Sequence, residues 1–343
     1  MKALVLEKKL QLSLRDIELP KEVHPNDVKI KMHTVGICGS DVHYYTHGKI
    51  GPFVVKEPMV LGHEGSGTVI EVGSNVSSLK VGDRVCIEPG VPDVYSKEYM
   101  RGLYNLDPKL TFWATPPDHG CLTPEVVFPS NFVFKLPENV SYAEGAMIEP
   151  LAVGLQAAEK AKIIPGETAL VMGCGPIGLV IALTALAGGC SKVFIADIVS
   201  EKLKMCSNFE NLIPIDLNED DPASVIKKNT NDWGANIIFE ASGATKAYAT
   251  IFDSICPAGR VVIVGNPMNP IPMDFATLLT KEIEIKTVFR YAHQYERAIN
   301  LLSSNKIDVK PMITDTVAFD DSIMAFERAA KNLPEDVKIQ IQL

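Results

Sequence analysis

A chain of 343 residues exceeds one ordinary domain, and with 46% of its side chains apolar it can bury a large core, so two domains are the default expectation. Its 42 acidic against 33 basic residues give a formal charge of −9, which excludes the concentrated Lys and Arg that nucleic acid or an anionic membrane requires and leaves a small molecule as the expected partner. Seven cysteines, an odd number without a Cys-x-x-Cys pair, make no disulfide framework, and the opening MKALVLEKKL lacks a cleavable signal pattern, so a reducing, cytoplasmic compartment is expected.

Residues 1–150 read as short alternating runs separated by glycine and proline. Those at 2–6, 28–35, 67–72, 83–87 and 125–128 predict strands of a small antiparallel barrel or sandwich. Three stretches here carry metal-ligating side chains: Gly36-Ile37-Cys38-Gly39-Ser40-Asp41-Val42-His43, Gly62-His63-Glu64-Gly65, and Ile148-Glu149-Pro150. Cys, His and Glu are ligand types that zinc takes, and a catalytic zinc uses three protein groups and leaves a position open. Taken singly, Cys38 reads as a small buried hydrophobe and His63 as a core histidine. Adjacent side chains on a strand point to opposite faces, so His63 and Glu64 share a metal only where the backbone bends; glycines at 62, 65 and 67 permit that bend.

From Tyr142 the pattern turns helical, with residues 142–160 apolar at helical intervals. Residues 167–197 then read ETALVMGCGPIGLVIALTALAGGCSKVFIAD: an apolar run, the loop Gly173-Cys174-Gly175-Pro176-Ile177-Gly178, a helical run, and a second apolar run ending in Asp197. This is the spacing of a dinucleotide-binding unit, in which Gly173 permits the tight turn, Gly175 lets a pyrophosphate approach the backbone, and Gly178 packs helix on strand. The helix N-terminus then faces the phosphates. No charge occurs between Thr168 and Ser191, a length that a membrane span would also show, but the glycines and Pro176 favour a buried parallel strand with its covering helix. A carboxylate at Asp197 suits the ribose hydroxyls of NAD and repels the 2′-phosphate of NADP, and no arginine follows in Ile198-Val199-Ser200-Glu201, so NAD is expected. Strands at 235–240, 260–264 and 283–288 complete a doubly wound parallel sheet, and the predicted class is α/β. Beyond Tyr291 the pattern shows one helix, 295–303, and an ending, 336–343, that alternates like an edge strand and is expected to return to the first domain.

The segments GICGSDVH, GHEGSGTV, GDRV at 82–85, IEPLAVG at 148–154 and the glycine loop, in this order, closely resemble zinc-dependent medium-chain dehydrogenases. YNL at 104–106, ATPPDHG at 114–120 and VFRY at 288–291 resemble the polyol branch of that family, the sorbitol and xylitol dehydrogenases. The resemblance spans nearly the whole chain. It implies a GroES-like, β-rich catalytic domain over 1–151, completed by 292–343, around a Rossmann domain at 152–291, assembled as a homo-oligomer, tetramer or dimer. It places zinc ligands at Cys38, His63 and Glu64, with Glu149 near the metal directly or through water. Substrate contacts fall on Tyr44, Glu149, Arg290 and Tyr291, and NAD contacts on Ile177, Asp197, Lys202, Val264, Gly265, Asn266, Val288, Phe289 and Arg290; Lys202 stands where relatives often have arginine. Glu149 is the candidate base, with His43 and Ser40 as a proton relay. The chain departs from many relatives in the lobe that elsewhere holds a second zinc on four cysteines: residues 89–107 contain none, and Cys86 and Cys121 are too few, so one catalytic zinc and no structural zinc is expected. The implied activity is oxidation of a secondary alcohol of sorbitol or xylitol to the ketose, with zinc as Lewis acid and NAD as hydride acceptor. The alternatives are another branch, acting on threonine, arabinitol, galactitol or a simple secondary alcohol, and a nucleotide-binding protein of the same fold without turnover, against which the retention of Cys38, His63, Glu64 and Glu149 speaks.

Overall fold

The structure, a computed structural model, describes residues 1–267 and 269–343 and divides the chain into two units, Met1–Glu149 with Tyr295–Leu343, and Pro150–Gln294. In the first unit the strand Asp27–Gly36 organises a seven-stranded sheet. Its buried Val28, Ile30 and Met32 alternate with outward lysines, the period-2 pattern of a half-buried strand. On one side it pairs antiparallel with Glu64–Val72, beyond which lie Arg84–Ile87 and Val133–Lys135. On the other it pairs with Glu125–Pro129 along its first half and with Lys338–Gln342 along its last residues. A three-stranded sheet of Gln11–Asp16, Lys2–Lys8 and Met59–Val60 adds Leu4 and Leu6 to the same core.

Three sequence expectations need correction, two in this unit and one at its boundary with the second. The ending is not an edge strand: Lys338–Gln342 lies between Asp27–Gly36 and a parallel outer strand, Ile313–Ala318. Its alternation separates two buried faces, because Lys338 and Gln340 find partners inside the protein while Ile339 and Ile341 enter the core. A second helix follows position 303, Ser322–Ala330, and it buries Ala325 and Phe326. The run 142–160 is two helices, Tyr142–Ala146 and Ile148–Ala161. Pro150 explains the break: it has no N–H for the Ala146 carbonyl, and its ring crowds that oxygen, so a helix restarts where proline is tolerated in the first turn.

The second unit is a six-stranded parallel sheet in the order Leu212–Asp216, Lys192–Asp197, Thr168–Met172, Ala235–Glu240, Ile255–Ile263, Glu284–Thr287. That is the 3-2-1-4-5-6 order of a doubly wound nucleotide-binding sheet, with its switch point between Thr168–Met172 and Ala235–Glu240. The sequence reading missed Leu212–Asp216, whose Pro214 argues against a strand; at a sheet edge the missing N–H costs no ladder bond. The uncharged stretch 168–191 resolves into the strand Thr168–Met172, the glycine loop and the helix Pro176–Ala187. Among the described residues no helix is long and apolar enough to cross a membrane.

Phe326 is fully buried in the core of the first unit. Truncation to alanine is expected to destabilise that unit by about 3–5 kcal/mol, the usual loss for a core phenylalanine. Urea unfolding of Phe326→Ala measures it, and an unchanged midpoint would place this helix outside the core.

Candidate active site

The strand Asp27–Gly36 ends in a turn that leads to the helix Gly39–His47, and Cys38 stands in that turn. Across the ladder, Glu64 is the first residue of its strand and pairs with Gly36. His63 lies just before the strand, after Gly62, whose φ of 88° is in the left-handed region. The bend is therefore made at Gly62, ahead of the strand, while Gly65 and Gly67 lie inside it; His63 escapes strand alternation and turns to the same side as Glu64. Ligand atoms of Cys38, His63 and Glu64 all lie within 4.8 Å of one another. Gly36 makes room for the carboxylate, since a Cβ there would stand 2.1 Å from Glu64 Oε2.

Two residues to which the sequence reading gave no role hold this trio. Asp41, fully buried, accepts from the backbone N–H of Cys38 at 3.3 Å and of Gly62 at 3.2 Å, so one carboxylate joins the two turns that carry the ligands. Its Oδ2 lies 3.4 Å from His63 Nδ1, a buried nitrogen without a well-aligned hydrogen bond of its own. Burial opposes charge on His63, but Asp41 and then Cys38 lift its pKa well above the ordinary range. Lys338, 3% exposed, donates to both Glu64 oxygens at 2.7 Å and to the Ile37 carbonyl at 3.0 Å. Burial opposes its charge too, and Glu64, followed by Cys38, raises its pKa. Asp41 lay within a motif already singled out; Lys338 had no signal beyond a lysine among isoleucines in a tail that looked solvent-facing.

Glu149, in the first turn of Ile148–Ala161, is buried and stands outside the trio. Its charge is felt at Lys338 and at Glu88. Glu88 is itself buried, accepts from the Tyr104 hydroxyl at 2.6 Å, and has its pKa pushed up to about 7, chiefly by burial. Ser40, His43 and Tyr44 share the helix Gly39–His47, with Ser40 and His43 one turn apart on one face. The His43 ring stacks on His47 at 4.3 Å, and burial lowers its pKa, which favours a neutral imidazole. Tyr44 is buried.

In the parallel-sheet unit the loop Gly173–Gly178 sits at the switch point, with Gly175 as the N-cap of Pro176–Ala187 and Ile177 in its first turn. Gly178 admits no side chain: a Cβ would lie 1.8 Å from the Gly173 carbonyl oxygen. Asp197 Oδ2 accepts from Cys174 N at 2.7 Å and Oδ1 from Val199 N at 2.9 Å, so the acid clamps the loop and keeps further lone pairs for a ribose. Lys202 is on the short helix Ser200–Leu203. Val264 and Gly265, just past Ile255–Ile263, both donate to the Glu240 carbonyl at 2.8 Å, and Asn266 follows against Gly243. The Glu240 side chain, another residue the sequence reading missed, accepts from Ser242 N, Gly243 N and Tyr248 Oη, and so sets the loop beyond its strand. Val288 donates to the Ile263 carbonyl at 2.9 Å, and Arg290, at φ 54°, stacks over the neighbouring Phe289 ring at 5.0 Å. Tyr291 is buried.

A Cys–His–Glu cluster in the first unit and a dinucleotide-type glycine loop in the second are the parts of a metal- and nucleotide-dependent oxidoreductase. Two family models match the chain, the alcohol dehydrogenase GroES-like domain over residues 24–138 and the zinc-binding dehydrogenase over residues 176–304. The chain is 52% identical to D-xylulose reductase of Morganella morganii, over 96% of this chain and 98% of that one, and 41% identical to sorbitol dehydrogenase of Bos taurus, over 96% and 93%. An alcohol dehydrogenase structure from E. coli CFT073 complexed with NADH superposes with a TM-score of 0.92 at 26% identity, covering 100% of this chain and 99% of that one. The chain belongs to the zinc-binding medium-chain dehydrogenases, a family of oxidoreductases.

Two measurements follow from the charges. Lys338→Met strands the Glu64 carboxylate without its cation, and loss of one partner from a buried pair costs about 3–5 kcal/mol; urea unfolding of metal-free protein is expected to show that loss, and zinc to restore part of it. His63 has a raised folded pKa, so in metal-free protein its charged form contributes stability that is complete below the unfolded pKa near 6.5 and is lost as pH rises through the folded value. A metal needs the neutral imidazole and the thiolate, so zinc uptake should release protons and apparent affinity should fall between about pH 8 and about pH 6. Chelator competition at the two pH values checks this; equal affinities would contradict it.

Proposed function

We propose that this chain is an NAD- and zinc-dependent polyol 2-dehydrogenase that oxidises xylitol or sorbitol to the corresponding ketose, xylulose or fructose. The observation that carries the proposal is the Cys38–His63–Glu64 cluster, whose thiolate, imidazole and carboxylate are a zinc donor set and leave a position for substrate. The names of the relatives, D-xylulose reductase and sorbitol dehydrogenase, support a polyol as substrate. When bound, zinc supplies Lewis-acid polarisation of a substrate hydroxyl and NAD supplies the hydride acceptor.

The chain's own residues then divide the work. Cys38 and Glu64 bring negative charge to the metal, and Lys338, by engaging Glu64, moderates it. Asp41 holds the two ligand turns and favours the His63 ring orientation. Glu149, outside the trio and buried, is the proposed base acting through water, and Ser40 with His43 the proposed path of the proton outward. Tyr44, Arg290 and Tyr291 are the proposed partners of the substrate's further hydroxyls. Asp197 is the proposed ribose acceptor, which selects NAD over NADP. One zinc per chain is proposed. In support, the lobe that follows Glu88 is organised by a carboxylate: buried Asp107 accepts from Asp93 N at 2.7 Å and Lys109 N at 2.9 Å. Assembly as a homo-oligomer, tetramer or dimer, rests on the resemblance, and a reducing cytoplasm on the unpaired state of all seven cysteines.

A panel of polyols assayed with NAD, on zinc-loaded and chelated protein, tests the activity; turnover of simple alcohols but not of polyols would reassign the substrate. Elemental analysis should find about one zinc per chain, the number a single ligand set can hold. Glu64→Gln is expected to lose zinc and activity together, whereas Glu149→Gln keeps zinc and loses ~10²–10⁴-fold in kcat, the scale of a lost proton-transfer group; the opposite pattern would exchange their roles. Asp197→Ala with Ile198→Arg should raise the NADP-to-NAD ratio of kcat/KM, because it removes the repulsion and adds a phosphate partner.

A further inference from the structure

The loop that carries Arg290 and Tyr291 is held by two side-chain amides to which the proposed reaction gives no part. Arg290 and His293 both take the left-handed conformation, at φ 54° and 58°, which residues other than glycine rarely adopt. Two such residues within four persist only where the surroundings fix the chain. One anchor lies ahead of the loop, where the Val288 N–H donates to the Ile263 carbonyl at 2.9 Å. The other lies behind it. Gln156, on the helix Ile148–Ala161, accepts through its Oε1 from the Ala292 N–H at 3.2 Å and from Gln294 Nε2 at 3.1 Å. Gln294 Nε2 also reaches Glu159 Oε2 at 3.0 Å, one turn further along the same helix, and the Ala292 carbonyl at 3.1 Å. Gln156 and Gln294 are 6% and 1% exposed, so the Gln156 oxygen stands in for water at a buried backbone N–H.

We infer that Gln156 is a positioning residue for polyol binding: through Ala292 and Gln294 it fixes the backbone that presents Arg290 and Tyr291 to the substrate's further hydroxyls. The inference rests on the proposed substrate role of those two residues. Both lie between the Val288 and Ala292 anchors, so loss of the second anchor frees them while the first stays in place. An amide oxygen has two lone pairs, and here each takes a donor from the loop. An apolar side chain at 156 would leave the Ala292 N–H buried without an acceptor, a cost the loop relieves by opening to water. Contacts to hydroxyls remote from the reacting carbon act alike on bound substrate and on the transition state, so a loosened loop is felt in KM rather than in kcat.

The test compares zinc-loaded wild type with Gln156→Leu, which removes the acceptor, and Gln156→Glu, which keeps it. Amide hydrogen exchange of the peptide spanning 288–294 reads the loop directly, xylitol kinetics at saturating NAD read its use, and NADH titration and zinc content serve as controls. Gln156→Leu is expected to speed exchange in that peptide and to raise KM for xylitol on the order of tenfold, the scale of one lost hydrogen bond, with kcat retained. Gln156→Glu should restore both, and zinc content should stay as in wild type. In a background of Arg290→Ala with Tyr291→Phe, Gln156→Leu should add no further rise in KM, because the groups it positions are gone. Unchanged exchange in Gln156→Leu overturns the latch. Faster exchange with an unchanged KM overturns its part in substrate binding, and an equal loss of NADH affinity and of zinc overturns a local effect. If the background variant alone leaves KM for xylitol as in wild type, the substrate role of Arg290 and Tyr291 falls instead, and the exchange data still decide the latch. Should Gln156→Leu fail to fold, Gln294→Leu removes the same latch from the loop side and is held to the same outcomes.

Discussion

The candidate metal centre depends on one buried ion pair, Glu64 with Lys338, made by residues 274 positions apart. A carboxylate in this core without a counter-charge would be protonated or would open the site to water. Lys338 prevents both, and it does so only because Lys338–Gln342 joins the sheet beside Asp27–Gly36 with Gln340 opposite Gly36, and Gly36 opposite Glu64. The ladder that closes the fold therefore also presents the ligand. Apolar pairs in place of buried ion pairs are often as stable or more so, which puts the value of these charges in geometry and in tuning rather than in stability. Both Glu64 oxygens face the ammonium, and what remains of their lone pairs is what a metal can use.

Around that pair the first unit gathers an excess of negative groups. Cys38 with Asp41, Glu64, and Glu149 come from three different segments and lie near the Lys338 ammonium, which is an environment suited to a divalent metal. Glu88 is close enough for Glu149 to add to the rise in pKa that burial causes. The second unit solves a different problem with the same economy of parts. Its ligand loops are bare backbone at the ends of parallel strands, and two acids, Asp197 and Glu240, hold them by accepting backbone N–H groups. One acid carries a sequence signal because it follows the glycine loop at a fixed distance; the other does not.

The sequence by itself determined what depends on short-range periodicity and on residue type at close spacing. The glycine loop with its strand and helix, the acid at Asp197, the alternating strands of the first half, and Cys38, His63 and Glu64 were all readable, because each is set by neighbours a few residues away. Local rules also carried the errors. Pro214 made an edge strand look like a break, and the helical pattern over 142–160 hid the interruption that Pro150 imposes. Only the tertiary structure decided that 338–342 is an interior strand, that its lysine neutralises Glu64, and that Asp41 joins two turns. Those facts rest on pairings between distant segments, and the free energy of a buried charge depends on what the fold brings beside it, which no local pattern encodes.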